Sequence, residues 1–281
     1  MYNLNKNSQL GFYLAGLIEG DGNIWTTKEI KSNSGRIYNP RIVFTFDKKE
    51  LPLFENLQII FNSGSIYLYK DSNVCKYTLS EKKAVISIIN LINGKFRTPK
   101  VHYLYRAIDR INILHNQYIP KLPLDNSSLE SNAWLAGMTD ADGSFQISLG
   151  GIYGLNGSTV RGRVKCIFSI SQKKIDKPSG LSSEPFMSKI ASLFQCKINY
   201  TRFNALVFQA QADGKHHLIR SYFDKYPLMT SKHLNYLCFL QGLNYLTKRL
   251  SDKEIFEIRA IKNSMNDKRT SFSWNNLKNL Y

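Results

Sequence analysis

Two aspartates, Asp21 and Asp142, hold the same place in two copies of one short pattern. Phe12-Tyr13-Leu14-Ala15-Gly16-Leu17-Ile18-Glu19-Gly20-Asp21-Gly22-Asn23-Ile24 matches Ala133-Trp134-Leu135-Ala136-Gly137-Met138-Thr139-Asp140-Ala141-Asp142-Gly143-Ser144-Phe145, at an offset of 142 − 21 = 121 residues. Each copy reads as a helix, at about 8–20 and 131–141, that stops at Gly22 or Gly143, where glycine suits a left-handed stop. Both carboxylates then fall at a helix C-terminus, an end that is already partly negative and favours cations. Ala15, Gly16 and Gly20, like Ala136, Gly137 and Ala141, form a small-residue stripe that lets two backbones approach closely. Packed side by side about a pseudo-twofold axis, the two helices bring their acids together, and such a pair needs a positive partner or a shared proton. Divalent metal resolves the conflict, and hard oxygen ligands suit magnesium. Acids holding metal beside a basic surface suggest metal-assisted phosphodiester hydrolysis. A single L-x-G-x-x-x-x-D-G would read as an interface helix with a glycine cap and a solvated aspartate. Duplication with both acids kept, in a basic chain, turns the reading to catalysis.

The elements that must position these helices repeat with them. Val43 to Lys49 echoes Phe168 to Lys174, and Phe61 to Tyr67 echoes Phe194 to Tyr200. Arg97-Thr98-Pro99-Lys100-Val101-His102 parallels Met229-Thr230-Ser231-Lys232-His233. Four landmarks in one order make the chain two copies of a module. After each repeat helix a strand begins at Asn23 or Ser144, and a second follows in which Ile42, Phe44 and Phe46, or Val164, Cys166, Phe168 and Ile170, alternate with polar neighbours. Helical patterns come next at 50–61 and 184–194, then strand pairs at 64–69 and 75–80, and at 197–202 and 206–211. Closing helices fall at 81–93 and 99–115, and at 215–224 and 231–247. The expected fold is α+β: two pseudo-symmetric αββαββα modules with antiparallel sheets, greasy on one face and polar and basic on the other, joined by a central two-helix interface. Proline and polar residues at Tyr118 to Ser128 mark a linker. The expected divisions are 1–117, a linker at 118–130, and 131–281.

Composition narrows the partner. The 281 residues carry 38 Lys+Arg against 21 Asp+Glu, a net charge of +17, with 43% apolar content that makes the chain globular. A folded cation implies a polyanion, most simply nucleic acid. The longest apolar run, Ala84 to Ile92, is too short to span a bilayer, and no basic amphipathic anchor is evident, so no membrane partner is expected. Cys75, Cys166, Cys196 and Cys238 form no C-x-x-C pair, and neighbouring His216 and His217 point apart, so neither zinc nor a disulfide framework is expected. Walker-type and H-E-x-x-H motifs are absent, and no leader pattern precedes Gln9. A lean toward Asn, Lys, Ile and Tyr, with A/T-rich codons, suggests an organellar gene: mitochondrial, with chloroplast as the alternative.

Leu14 to Gly22 (LAGLIEGDG) and Leu135 to Gly143 (LAGMTDADG) closely resemble the signature of the LAGLIDADG homing endonucleases, and the resemblance covers nearly the whole chain in the manner of the single-chain, intron-encoded members. It implies a monomeric, metal-dependent DNA endonuclease that hydrolyses double-stranded DNA at a long asymmetric site and leaves 3′ overhangs. Metal ligands would be Asp21 and Asp142 with the carbonyls of Gly20 and Ala141, holding Mg2+, for which Mn2+ or Ca2+ can substitute. Glu19 and Asp140 would support the helix interface. Lys100 and Lys232 match a basic position near the scissile phosphate, and Gln172 a polar one at the end of the second strand, whose first-module counterpart is Phe46 or Asp47. Alternation puts Asn23, Trp25, Thr27, Asn39, Arg41, Thr45, Lys76 and Thr78 on the DNA face of the first sheet. In the second sheet it selects Ser144, Gln146, Ser148, Arg161, Arg163, Lys165 and Arg202. The alternatives are an RNA maturase aiding its host group I intron, with intron RNA as partner, and a DNA-binding regulator that has lost cleavage. Both acids are kept, which favours the nuclease.

Overall fold

A computed structural model describes residues 9–31, 33–35, 37–150, 163–201, 204–211, 214–246 and 250–280. The first half runs α1 (Gln9–Gly20), β1 (Gly22–Trp25), β2 (Arg41–Asp47), α2 (Leu51–Phe61), β3 (Ser65–Leu68), β4 (Val74–Leu79), α3 (Lys82–Ile92) and α4 (Val101–His115). The second repeats that order with α5 (Trp134–Asp142), β5 (Gly143–Gly150), β6 (Arg163–Lys173), α6 (Glu184–Leu193), β7 (Ile198–Tyr200), β8 (Ala205–Gln211), α7 (His216–Lys225) and α8 (Lys232–Leu243), then adds α9 (Asp252–Asn263). Two four-stranded antiparallel sheets result, ordered β1-β2-β4-β3 and β5-β6-β8-β7.

Period-two alternation gives each sheet one buried face. Ile24, Ile42, Phe44, Cys75, Tyr77 and Leu79 are buried in the first sheet, beneath Phe54 of α2. In the second, Phe145, Phe168 and Phe208 pack edge-on or stacked with Phe194, Phe223 and Phe239. The opposite faces stay accessible, as antiparallel sheets allow. Among the described residues no helix is long and apolar enough to cross a membrane.

Two expectations are revised. Gly22 and Gly143 do not supply a left-handed stop: neither has positive φ, and Gly143 is extended at φ −78° and ψ 155°. Their role is close approach, since a Cβ on Gly22 would lie 2.5 Å from Ile18 Cα and one on Gly143 2.5 Å from Thr139 Cγ2. A strand can turn straight off the helix only where that space is empty. Second, α9 extends the second half beyond the repeat; Ser251 and Glu254 form a capping box at its start, and Ile255 and Ile258 are buried. The segment between the two halves, expected to be the linker, is held down along its length. Asn93 donates to Pro120 O at 2.7 Å, Asn112 exchanges two 3.0 Å bonds with the backbone of Ile119, and the buried Arg97 guanidinium bonds Asp125 and Ser127.

Candidate active site

The C-terminal ends of α1 and α5 meet because nothing but hydrogen lies between their backbones. A Cβ on Gly16 would fall 2.0 Å from Trp134 O, and one on Gly137 1.9 Å from Tyr13 O, two equivalent contacts related by the repeat. One turn on, a Cβ on Gly20 would be 2.1 Å from Ala141 Cβ and 3.1 Å from a carboxylate oxygen of Asp142. Asp21, whose N–H bonds Leu17 O at 3.1 Å, follows the last residue of α1 directly. The two acids therefore face each other across the axis.

Burial raises the carboxyl pKa of Asp21, and the neighbouring Asp142 charge raises it further, while Lys232 and Lys100 oppose both effects. Burial also raises Asp142, against the Gln172 hydrogen bond and the same two lysines. Lys100 Nζ donates to Gly20 O, and Lys232 Nζ to Ala141 O and, at 3.2 Å, to Thr139 O. Each ammonium thus sits on the last carbonyls of a repeat helix, where its negative end accumulates. Burial lowers the Lys232 pKa, with Asp140, Asp142, Asp21 and Glu50 working the other way. Gln172 Nε2 donates to Asp142 Oδ2 at 2.6 Å. A cleft of about 750 Å³ opens here, lined by Gly20, Asp21, Lys100, Asp142 and Gln172 among others.

Beneath the pair lie Glu19 and Asp140, both fully buried and bound across the interface. Glu19 accepts from the indole N–H of Trp134 at 2.6 Å and from the backbone N–H groups of Arg97 and Thr98. Asp140 accepts from the Tyr13 hydroxyl at 2.8 Å and from Met229 N and Thr230 N. Each acid so ties the opposite repeat helix to the turn that presents Lys100 or Lys232. Burial pushes Glu19 up to about 7.

The strand register decides between Phe46 and Asp47. Gly22 pairs with Phe44 and Gly143 with Ile170, so Phe46 occupies the place of Gln172. Phe46 packs on Phe54, ring centroids 5.4 Å apart, and carries no polar group for Asp21. The centre is asymmetric at this position.

Outward rows cross the first sheet as Asn23–Val43–Thr78–Ser65, Thr45–Lys76–Tyr67 and Trp25–Arg41, with the Arg41 guanidinium 5.0 Å from the Trp25 ring centre. In the second sheet they run Ser144–Ser169–Gln209, Gln146–Ile167–Gln211, Ser148–Lys165 and Gly150–Arg163. Thr27 and Asn39 lie outside the strands, in the connection between β1 and β2, where Asn39 Oδ1 pairs with His115 Nε2 at 2.7 Å. Arg161 and Arg202 fall outside the described residues. Ser65, Tyr67, Ser169, Gln209 and Gln211 were not among the sequence candidates; the alternation of Gln209 and Gln211 with Phe208 and Ala210 was there to find them.

The fold and the site together define a duplicated α+β protein with paired acids at the junction of two helices, set between two sheets with polar outer faces. The sequence pattern of the LAGLIDADG endonuclease family matches residues 14–108 and 135–243, and the chain belongs to that family. It is 32% identical over 318 aligned positions to the intron-encoded DNA endonuclease aI3 of Saccharomyces cerevisiae, spanning 100% of this chain and 75% of that one. A cox1 intron-2 protein of Schizosaccharomyces pombe, 37.2 kDa, is 28% identical over 83% of this chain and 64% of its own length. The crystal structure of the I-LtrWI LAGLIDADG homing endonuclease bound to target DNA superposes with a TM-score of 0.69, covering 93% of this chain and 99% of that one at 20% identity, a likeness of fold.

Proposed function

We propose that this chain is a site-specific endonuclease that cuts both strands of a long, asymmetric double-stranded DNA target with the help of divalent metal. The convergence of Asp21 and Asp142 between two outward polar sheets carries the reading. Strand ribbons of this kind fit the major groove, and two sheets of different sequence suit two different half-sites. The DNA-bound structural neighbour and the intron-encoded DNA endonuclease relative support it.

The donor set fits a hard cation. Two carboxylates and the Gly20 and Ala141 carbonyls offer only oxygen, and because lysine ammoniums occupy those carbonyls, the paired carboxylates carry the fit. Among the described residues no three acidic, histidine or cysteine side chains gather to cage an ion. A site this sparse suits magnesium, which keeps several waters and takes phosphate oxygens as ligands. When bound, the metal supplies charge neutralisation at the phosphates and a more acidic water. Within the protein, Asp21 and Asp142 would hold it, Gln172 fixes the orientation of Asp142, and Lys100 and Lys232 bring positive charge to the scissile phosphates. Arg41, Lys76, Arg163 and Lys165 would add phosphate affinity without reading sequence. Divisions at 1–117, 118–130 and 131–281, monomeric action and a mitochondrial setting complete the reading, the last supported by the cox1 intron relative.

The test is Asp21→Asn and Asp142→Asn. Each should abolish double-strand cleavage with magnesium and leave binding with calcium nearly intact; full cleavage by either variant would remove the assignment.

A further inference from the structure

The turns that lead into α4 and α8 present the two lysines, and they are braced differently. Thr98-Pro99-Lys100 corresponds to Thr230-Ser231-Lys232, and both turns share the Glu19 or Asp140 bonds and a 3.2 Å bond from the lysine N–H to the threonine hydroxyl. They part at the middle residue. Pro99 has no N–H and a fixed φ, so it needs no acceptor. Ser231 has two donors in a buried place, and both go to one carboxylate: its N–H bonds Glu50 at 2.8 Å, and its hydroxyl bonds the other oxygen of Glu50. Glu50 comes from the first module, 181 residues away, and is only 4% exposed. At the matching place before α6, which like α2 has proline in its first turn, stands Ser183, and it lines the open cleft beside Pro99.

We infer that Glu50 is a positioning residue for Lys232: a cross-module strut that fixes the backbone just before that lysine and places a negative charge beside it, serving one half-site only. A buried carboxylate costs desolvation, and two donors from a single residue hold it in a place where its partner in the other half is a neutral serine. The two strand cuts accordingly depend on different supports, Pro99 rigidity for Lys100 and the Glu50–Ser231 bonds for Lys232. The inference rests on the nuclease reading above.

The test is single-turnover cleavage of a DNA target with each strand end-labelled separately, comparing Glu50→Gln with Lys232→Met and Lys100→Met. Glu50→Gln keeps the shape and removes the charge. It should slow the strand that Lys232→Met slows by about tenfold to a hundredfold, change the other strand little, and leave calcium-supported DNA affinity unchanged. Equal slowing of both strands, slowing of the Lys100 strand, or no change overturns the assignment of Glu50. Should Glu50→Gln fail to fold, Ser231→Ala carries the same comparison, because it removes one donor and leaves the backbone bond. Wild-type protein that leaves every target intact would remove the nuclease reading itself, whereas wild-type cleavage with evenly slowed variants removes only the strut.

Discussion

Trp134 reaches across the two-helix junction to place its indole N–H 2.6 Å from the buried carboxylate of Glu19. Tyr13 does the same for Asp140 from the other side. The acids adjoining the reactive pair are therefore structural, each satisfied by the opposite repeat. Trp134→Phe leaves Glu19 short of one donor, and Tyr13→Phe does so for Asp140. Each should lower unfolding free energy by about 1–3 kcal/mol, read by urea denaturation. An unchanged midpoint for both would show that the bonds contribute nothing net.

The same acid has a pH signature. Burial lifts Glu19 from 4.5 to about 7, so the folded protein retains a proton there that the unfolded chain has already released. Stability from this group is full below its unfolded value and is lost as pH rises through about 7. Asp21, Glu50, Asp140 and Asp142 are raised too and slope the same way. Against Glu19→Gln, which does not titrate, the wild type should lose about 2–3 kcal/mol of its advantage between pH 5 and 8. Denaturation curves of both proteins across that range measure it, and a widening gap would reverse the sign.

Gly16 and Gly137 leave no room for a methyl group against the opposing backbone. Main-chain atoms cannot swing aside as a side chain can. Gly16→Ala or Gly137→Ala should cost more than about 3 kcal/mol, beyond ordinary overpacking, and separate the acids. Melting temperature and cleavage rate should fall together.

Gln172 orients Asp142, whereas Phe46 offers Asp21 nothing polar. Gln172→Leu should reduce the cleavage rate by about tenfold with calcium-supported affinity unaltered. A loss of affinity with an unchanged rate would make Gln172 a DNA contact instead.

Binding should weaken steeply with salt. Replacing Arg41, Lys76 or Lys165 by alanine should reduce the slope of log affinity against log salt by about one each where that side chain meets a phosphate. Fluorescence titration across salt concentrations reads the slope, and an unchanged slope with relaxed sequence preference marks a base contact.

The duplicated helix and the two sheets were legible because they rest on local spacing. The pattern from Leu14 to Gly22 and its copy needed only helical periodicity, and the inner rows of β2 and β6 needed only alternation. What was missed divides in two. Helix α9 was readable, since Ser251 and Glu254 form a capping box ahead of Ile255 and Ile258. The Phe46 register and the Glu50–Ser231 bonds were not. A one-residue shift in pairing flips a strand's faces yet leaves the sequence echo almost unchanged, and no spacing rule connects residues 181 apart.

The backbone-to-backbone seam also sets an order of events in time. Gly16 meets its partner only when Trp134 exists, and 121 residues separate Asp21 from Asp142. At translation speeds of about 5–20 residues per second, the first repeat helix waits about 6–24 s for the second. During that interval Glu19 lacks its indole donor and the bare seam faces outward. Nascent chains of this protein are accordingly open to misassociation in that interval, before the second repeat helix has left the ribosome.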